Sequence, residues 1–460
     1  MDLSILGKIS LIWKKNDLTT SVGRAREREK RIVLSALWAI SSKVINTAIP
    51  LITIKITINY LGTELYGLWA TITSFFSLFA FADLGLGNGL QTELSRATGK
   101  DDVKECRTII SSAYMTLILL SLLLILVFLC VYPFIDWARV MGAESSEAVV
   151  LSGGFVLAII LSKLLGVPTA LVQRIHNALQ EGYIASIWST VGSVFSLITI
   201  VAVWFFDMGK MTMMWASSFV IVFVYLLNTI FFFRGHGRVF IPSIKSISKS
   251  TSYRLLSTGS LFLILSILTT VSLSLDTFIV TKVVGISEAA SYAIAYRIAL
   301  FIGIISTMFS TPLWAANGEA LERGDYGWVR SRTMLMTKYS LYGSIVASVA
   351  LIIVANPVLA WMGKDLHVSV PVLIGMCMTQ ILVATANPAF MVLNASRKII
   401  IQIVMFSVYS IISLIVKYYS GSLFGILGIS LGGALSYLII IMPWVFFAYK
   451  RALRIENIRN

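Results

Sequence analysis

The sequence predicts an all-α, polytopic membrane protein of about twelve transmembrane helices, and two observations predict it. Hydrophobic residues make up 57% of the 460-residue chain and charged residues only 13%, for a mean hydropathy of +0.86. A soluble domain has no interior large enough to hide that share of apolar surface. The apolar residues also come in runs longer than ~20, enough to cross a bilayer as a helix, and the runs recur along the whole chain.

Residues 1–32 are polar and basic and lead into a full-length apolar span, which is not the pattern of a cleavable signal peptide. Expected spans then follow at 33–59, 65–92, 107–134, 149–172, 178–206 and 211–233. A basic, Ser-rich connector at 235–256 separates these from 257–283, 287–316, 335–360, 368–394, 399–419 and 422–449, with a short basic tail at 450–460. The segments between spans carry the charge that sets orientation. Arg96, Lys100, Lys104 and Arg107 follow the second span, and Arg234, Arg238, Lys245, Lys249 and Arg254 follow the sixth. The odd-numbered loops hold little beyond Arg139, Lys210, Lys282 and Lys364. This bias predicts both termini in the cytoplasm. It also explains the net charge of +15 without invoking nucleic acid.

The two halves look duplicated at a period of about 220 residues. NYLGTELYGLWA around Gly62 resembles KVVGISEAASYAIAY around Gly285. GVPTALVQRIHNALQEG from Gly166 resembles ANPAFMVLNASRKI from Ala386, pairing Pro168 with Pro388 and setting Arg174 near Arg397. An even number of spans per half makes this a parallel repeat. The expected domains are an N-lobe at 33–234 and a C-lobe at 257–449, with a cavity between them suited to alternating access.

FADLGLGNGLQTELSRA, preceded by YLGTELYGLWATITSFFSLF, resembles the first-lobe motif of the Wzx-type O-antigen and polysaccharide flippases. SLSLDTFIVTKVVGISEAASYAIAYRIALF, from Ser272 to Phe301, resembles the matching second-lobe motif. The resemblance extends over roughly 33–449 and reaches the wider superfamily of multidrug and toxic-compound extruders and the lipid II flippase. It implies a V-shaped, two-lobed transporter in the bacterial inner membrane. The implied cargo is an undecaprenyl-diphosphate-linked oligosaccharide, moved from the cytoplasmic to the outer leaflet with an ion gradient as energy source. Membrane lipids, a polysaccharide polymerase and a chain-length regulator are the implied partners.

An anionic diphosphate on a bulky sugar calls for cations, hydrogen-bonding groups and aromatic faces. Charges inside spans are costly, so the few present are candidates. Lys43 lies deep in the first span, on a stripe with Asn46, Pro50 and Thr57; it faces either a cavity or a pairing partner. Arg297 sits near the middle of the eighth span beside Tyr296, and Arg174 lies just after the fourth. Trp69 and Tyr296 are candidates for stacking on sugar rings. Asp83 and Asp276 are the carboxylates well inside the spans, so each is an ion-coupling site or else a cap or structural ion pair. Lys163 and Lys282 read as interfacial and Lys417 as an anchor. Gly85 and Gly89 clear one face for a neighbouring helix, and Gly87 adds flexibility.

Cys106, Cys130 and Cys377, and His176, His236 and His367, show no disulfide or metal-ligand spacing, so no metal or cofactor is expected. No nucleotide-binding or hydrolase motif occurs, which argues for a transporter over an enzyme. A drug/cation antiporter of the same superfamily is the rival reading; its cavity should be rich in acids. A membrane glycosyltransferase or polymerase would need a large outward loop, and the expected loops are short.

Overall fold

The computed structural model describes residues 20–75, 83–274, 276–362 and 368–459, and all their regular structure is helical. His367 and Lys364 lie outside the described residues. The chain divides into two compact units. Within the described residues, the first covers 33–260 and the second covers 20–32 and 261–459.

The first unit holds most of α1 (Ser21–Leu61), then α2 (Thr63–Phe75), α3 (Leu86–Gly99), α4 (Val103–Val131), α5 (Ser146–Thr169) and α6 (Leu171–Ala178). It continues through α7 (Gly182–Phe205), α8 (Lys210–Arg234) and the start of α9 (Lys249–Ser274). The second unit holds the rest of α9, then α10 (Asp276–Val283), α11 (Ile286–Glu322) and α12 (Tyr326–Met362). It ends with α13 (Val370–Ala395), α14 (Ile399–Ser436) and α15 (Met442–Arg459), the last two joined by a π-helical turn at Tyr437–Ile441.

Ten helices among the described residues are long and apolar enough to span a membrane. One of them, Ile399–Arg454, covers the eleventh and twelfth expected spans and is broken at Gly425, whose φ of 61° few side chains tolerate. The second expected span is not one plain helix. A turn at 83–85 precedes α3, with Gly85 at φ 73°, and residues 76–82 lie outside the described residues.

The glycines here answer to packing. A Cβ on Gly259 would lie 2.9 Å from the Leu86 nitrogen, and one on Gly89 would lie 3.0 Å from the Leu255 carbonyl oxygen. The close approach of α3 to α9 therefore rests on backbone against backbone, the contact small residues permit between membrane helices. Glu93, buried on α3, pairs with Arg254 of α9 at 3.1 Å. Gly259→Val is expected to push these helices apart at a cost of about 1–3 kcal/mol. A lower melting temperature in detergent and less protein in the membrane would show it; an unchanged melt would contradict the packing.

The basic N-terminal segment is not loose where it is described. α1 begins twelve residues before the expected span, and Arg28 is buried in the second unit. Its guanidinium reaches Glu319 at 3.3 Å and Asp325 at 2.7 Å and lies over the Trp328 ring. The connector is equally fixed, to the first unit: Arg107 donates to the Ile241 carbonyl, and the Ser243 and Ser248 amides donate to Ser111 and Ser112.

The internal repeat is visible in the backbone. Gln180 and Arg397 take the same left-handed conformation, φ 61° and 58°. The amide of each donates to Asn177 and Asn394 respectively, and the next amides close onto His176 and Leu393. This register sets Arg397 against Gln180, not against Arg174. Asp101 and Gly324 likewise share a left-handed turn, after the helices that end at Gly99 and Glu322.

Candidate functional site

A cavity of about 430 Å³ opens inside the first unit. Its walls come from α2, the 83–87 turn, α5, α6 and α8, and include Trp69, Asp83, Lys163, Arg174, Ser218 and Tyr225. The volume lies within the range of small-molecule sites, about 300–1,000 Å³.

Asp83 is placed by the turn. One carboxylate oxygen accepts from the Gly85 amide at 3.0 Å and the other from the Gly87 amide at 3.3 Å. The carboxylate thus satisfies amides at the start of α3, where the helix dipole favours a negative charge. Gly87 is the space that Arg174 and Asp83 share. A Cβ there would lie 3.1 Å from Arg174 Cγ, Arg174 Nε and Asp83 Oδ2. Gly87 therefore makes room for charged side chains, where flexibility was expected.

Arg174 enters from α6, beyond the break at Ala170 that follows Pro168. Lys163 comes from α5, and its exposed side chain lines the cavity wall. Trp69 packs edge-on to Tyr66, ring centroids 5.9 Å apart. Two cations face one carboxylate, and serines and aromatic rings fill in between. Such a site suits an anionic group carrying hydroxyls.

Three sequence candidates, Trp69, Asp83 and Arg174, therefore share one site. Lys43 does not line it. That lysine is exposed on α1, while Asn46 turns toward α7 and donates to Ser189 at 2.9 Å and to Ser42 at 3.1 Å. Thr57 is buried and Pro50 exposed, so the expected polar stripe is split among different surroundings. Arg297 is likewise exposed, on α11.

The second unit gathers a different cluster. Asp276 is buried, and Lys417 Nζ lies 2.5 Å from its Oδ1 and donates to the Ser272 carbonyl at 3.4 Å. The Tyr292 hydroxyl donates to Asp276 Oδ2 at 3.1 Å, and Tyr296 stacks on Tyr292 with ring centroids 6.2 Å apart. Lys417 is no anchor: only 2% of its side chain is exposed. Gly433 makes room for it, since a Cβ there would lie 2.9 Å from Lys417 Cε. Tyr296 is buried against this cluster. The signal that could have revealed Lys417 was an unbalanced acid and an unbalanced base within the apolar runs of one half.

Membrane-spanning helices in two units, with ionisable groups gathered inside each, define an integral membrane transporter fold. The backbone resembles the Vibrio cholerae MATE transporter VcmN in its bent form, at a TM-score of 0.77 and 15% identity over 98% of this chain and 99% of that one. It also resembles a MOP-superfamily transporter from Pyrococcus furiosus, whose structure is described as having a binding pocket of reversed polarity, at 0.76 and 14% over 99% and 100%. The chain belongs to the polysaccharide biosynthesis protein family, whose model matches residues 32–314. A Yersinia pseudotuberculosis relative described as an O-antigen export protein is 22% identical over 91% of this chain and 95% of its own length. A Salmonella typhi relative described as an O-antigen transporter is 24% identical over 63% and 65%.

Proposed function

We propose that this transporter flips an undecaprenyl-diphosphate-linked oligosaccharide, an O-antigen-type repeat unit, across the bacterial inner membrane by alternating access. The observation that carries the reading is the cavity of the first unit, where Lys163 and Arg174 outnumber Asp83. A diphosphate drawn there offsets the desolvation of both cations, and Trp69 and Tyr225 offer flat faces to sugar rings. A cationic drug would meet like charge. The family and the O-antigen relatives support the same cargo.

Lys43 and Arg297 are further headgroup contacts in this reading, each an exposed cation on a spanning helix. Asp276 is the ion-coupling group. Protonation of its carboxylate would release Lys417 and Tyr292 and so change what holds α10 to α14. Asp83 is a second coupling candidate, tied to Arg174 through the space at Gly87. A polymerase and a chain-length regulator would act on the exported unit.

Deleting the gene should remove one surface polysaccharide and leave its lipid-linked unit on the cytoplasmic side. Intact surface glycan, with new sensitivity to cationic drugs, would favour the antiporter reading instead. Both termini face the cytoplasm in this account, from the Lys/Arg bias. Native Cys106 is buried and reports poorly, so added cysteines serve better. Arg139→Cys should react with an impermeant maleimide in intact cells, and Lys100→Cys only after permeabilisation; the reverse pattern would invert the topology.

A further inference from the structure

His176 and His236 lie far apart in sequence, and their spacing matches no metal motif. The fold brings them to one carboxylate. His176 ends α6, Glu181 stands in the turn before α7, and His236 opens the 3₁₀ turn that begins the connector. His176 Nδ1 is 3.1 Å from Glu181 Oε2, and His236 Nε2 is 2.9 Å from the same oxygen. One ligand atom from each of the three residues lies within 4.8 Å of the others. We propose that this triad is a site for a divalent transition metal ion, zinc in the first place, which clips the connector to the α6–α7 turn.

Four observations carry it. First, the donor set is two imidazoles and a carboxylate, which suits zinc and its neighbours in the first transition row and not magnesium or calcium. Second, the spacing fits. Zinc bonds of about 2.0–2.1 Å place tetrahedral ligand atoms about 3.3 Å apart, close to the two edges observed.

Third, the outer partner is in place. His176 Nε2 lies 3.2 Å from Asn228 Oδ1 of α8, inside the fold. An imidazole that donates Nε2–H to this oxygen keeps its Nδ1 lone pair aimed at Glu181. Two lone pairs would then face each other at 3.1 Å, and a cation bound there would relieve their repulsion. Such a second partner is what fixes the ring of a metal-bound histidine. Glu181 supplies the negative charge.

Fourth, there is an entry path. His176 is 1% exposed, Glu181 13% and His236 53%, so the triad is rigid on one side and open on the other. A fourth position remains for water on the open side. The His236 ring is held edge-on by Phe232, at 5.1 Å between centroids, and Phe232 packs against His176 at the same distance. The pocket wall is thus built from one aromatic side chain.

Full-length protein in detergent, stripped with EDTA and titrated with zinc against a chromophoric chelator, tests the site. Wild type should take up one zinc per chain, undisplaced by excess magnesium or calcium. His236→Gln, a change at the exposed ligand, should weaken binding by more than ~10-fold while eluting as the same species. Asn228→Leu, which leaves all three ligands, should weaken it by about 10- to 100-fold. The zinc absorption edge of the loaded protein should show two imidazoles. A wild type that binds no zinc in the micromolar range would overturn the proposal and leave protons alone in the triad. Equal uptake by His236→Gln would overturn it too.

Discussion

Arg174→Ala is expected to reduce glycan export by about 10- to 150-fold, the loss of about 1.5–3 kcal/mol from a hydrogen bond to a charged group. Arg174 is the less exposed of the two cations lining the cavity, beside Asp83 and over Gly87. Arg174→Lys should keep part of the activity, because the charge remains while the two-pronged fork that matches a phosphate is lost. Removing Arg174 also leaves Asp83 without its neighbouring cation, so a second variant is needed. In Asp83→Asn/Arg174→Ala that imbalance is gone. If Arg174 served only to neutralise Asp83, the double variant would recover export. A cargo-binding Arg174 predicts that the double variant stays defective at normal membrane levels. Export scored by surface glycan, with protein level scored in the same membranes, separates the two once Asp83→Asn alone is seen to export normally.

The second large effect is expected at the Asp276–Lys417 pair. Losing one member of a buried ion pair costs about 3–5 kcal/mol, because the other charge stays buried without its partner. Asp276→Asn or Lys417→Met alone should therefore lower the amount of folded protein. The double variant removes both charges at similar volume and should restore it. If the pair is purely structural, export returns with the fold. If Asp276 couples transport to an ion gradient, the double variant folds and its transport no longer follows the imposed gradient. Proteoliposomes with and without a gradient would read this directly.

Much of this was legible in the sequence, for physical reasons. Spans show because a bilayer demands ~20 apolar residues at a time. The repeat shows because each half needs the same turns at the same helix ends, and Gly62 and Gly285 both sit at positive φ. Asp83, Arg174 and Trp69 were readable as separate candidates, Asp83 for ion coupling and the other two for cargo, and the fold puts them around one cavity. Facing was less legible. Lys43 and Asn46 are nearly one helical turn apart, yet only Asn46 bonds to α7. Lys417 lies near the end of an apolar run, and sequence position alone made it an anchor. Its partner comes from another helix, α10, a tertiary fact with no local signature. The same holds for His176 and His236, which meet only because α6, α8 and the connector end together. Even the glycine pattern of the first-lobe motif divides three ways: Gly85 for a left-handed turn, Gly87 for Arg174, and Gly89 for α9.

The cavity of the first unit is expected to take an anionic cargo. Binding of an undecaprenyl-diphosphate oligosaccharide to the purified protein in nanodiscs tests it most directly. Wild type should bind this lipid and prefer it to a cationic dye, and Lys163→Ala/Arg174→Ala should bind it at least ~10-fold more weakly. Unchanged affinity in the double variant, or a cationic dye that displaces the lipid from wild type, would contradict the account.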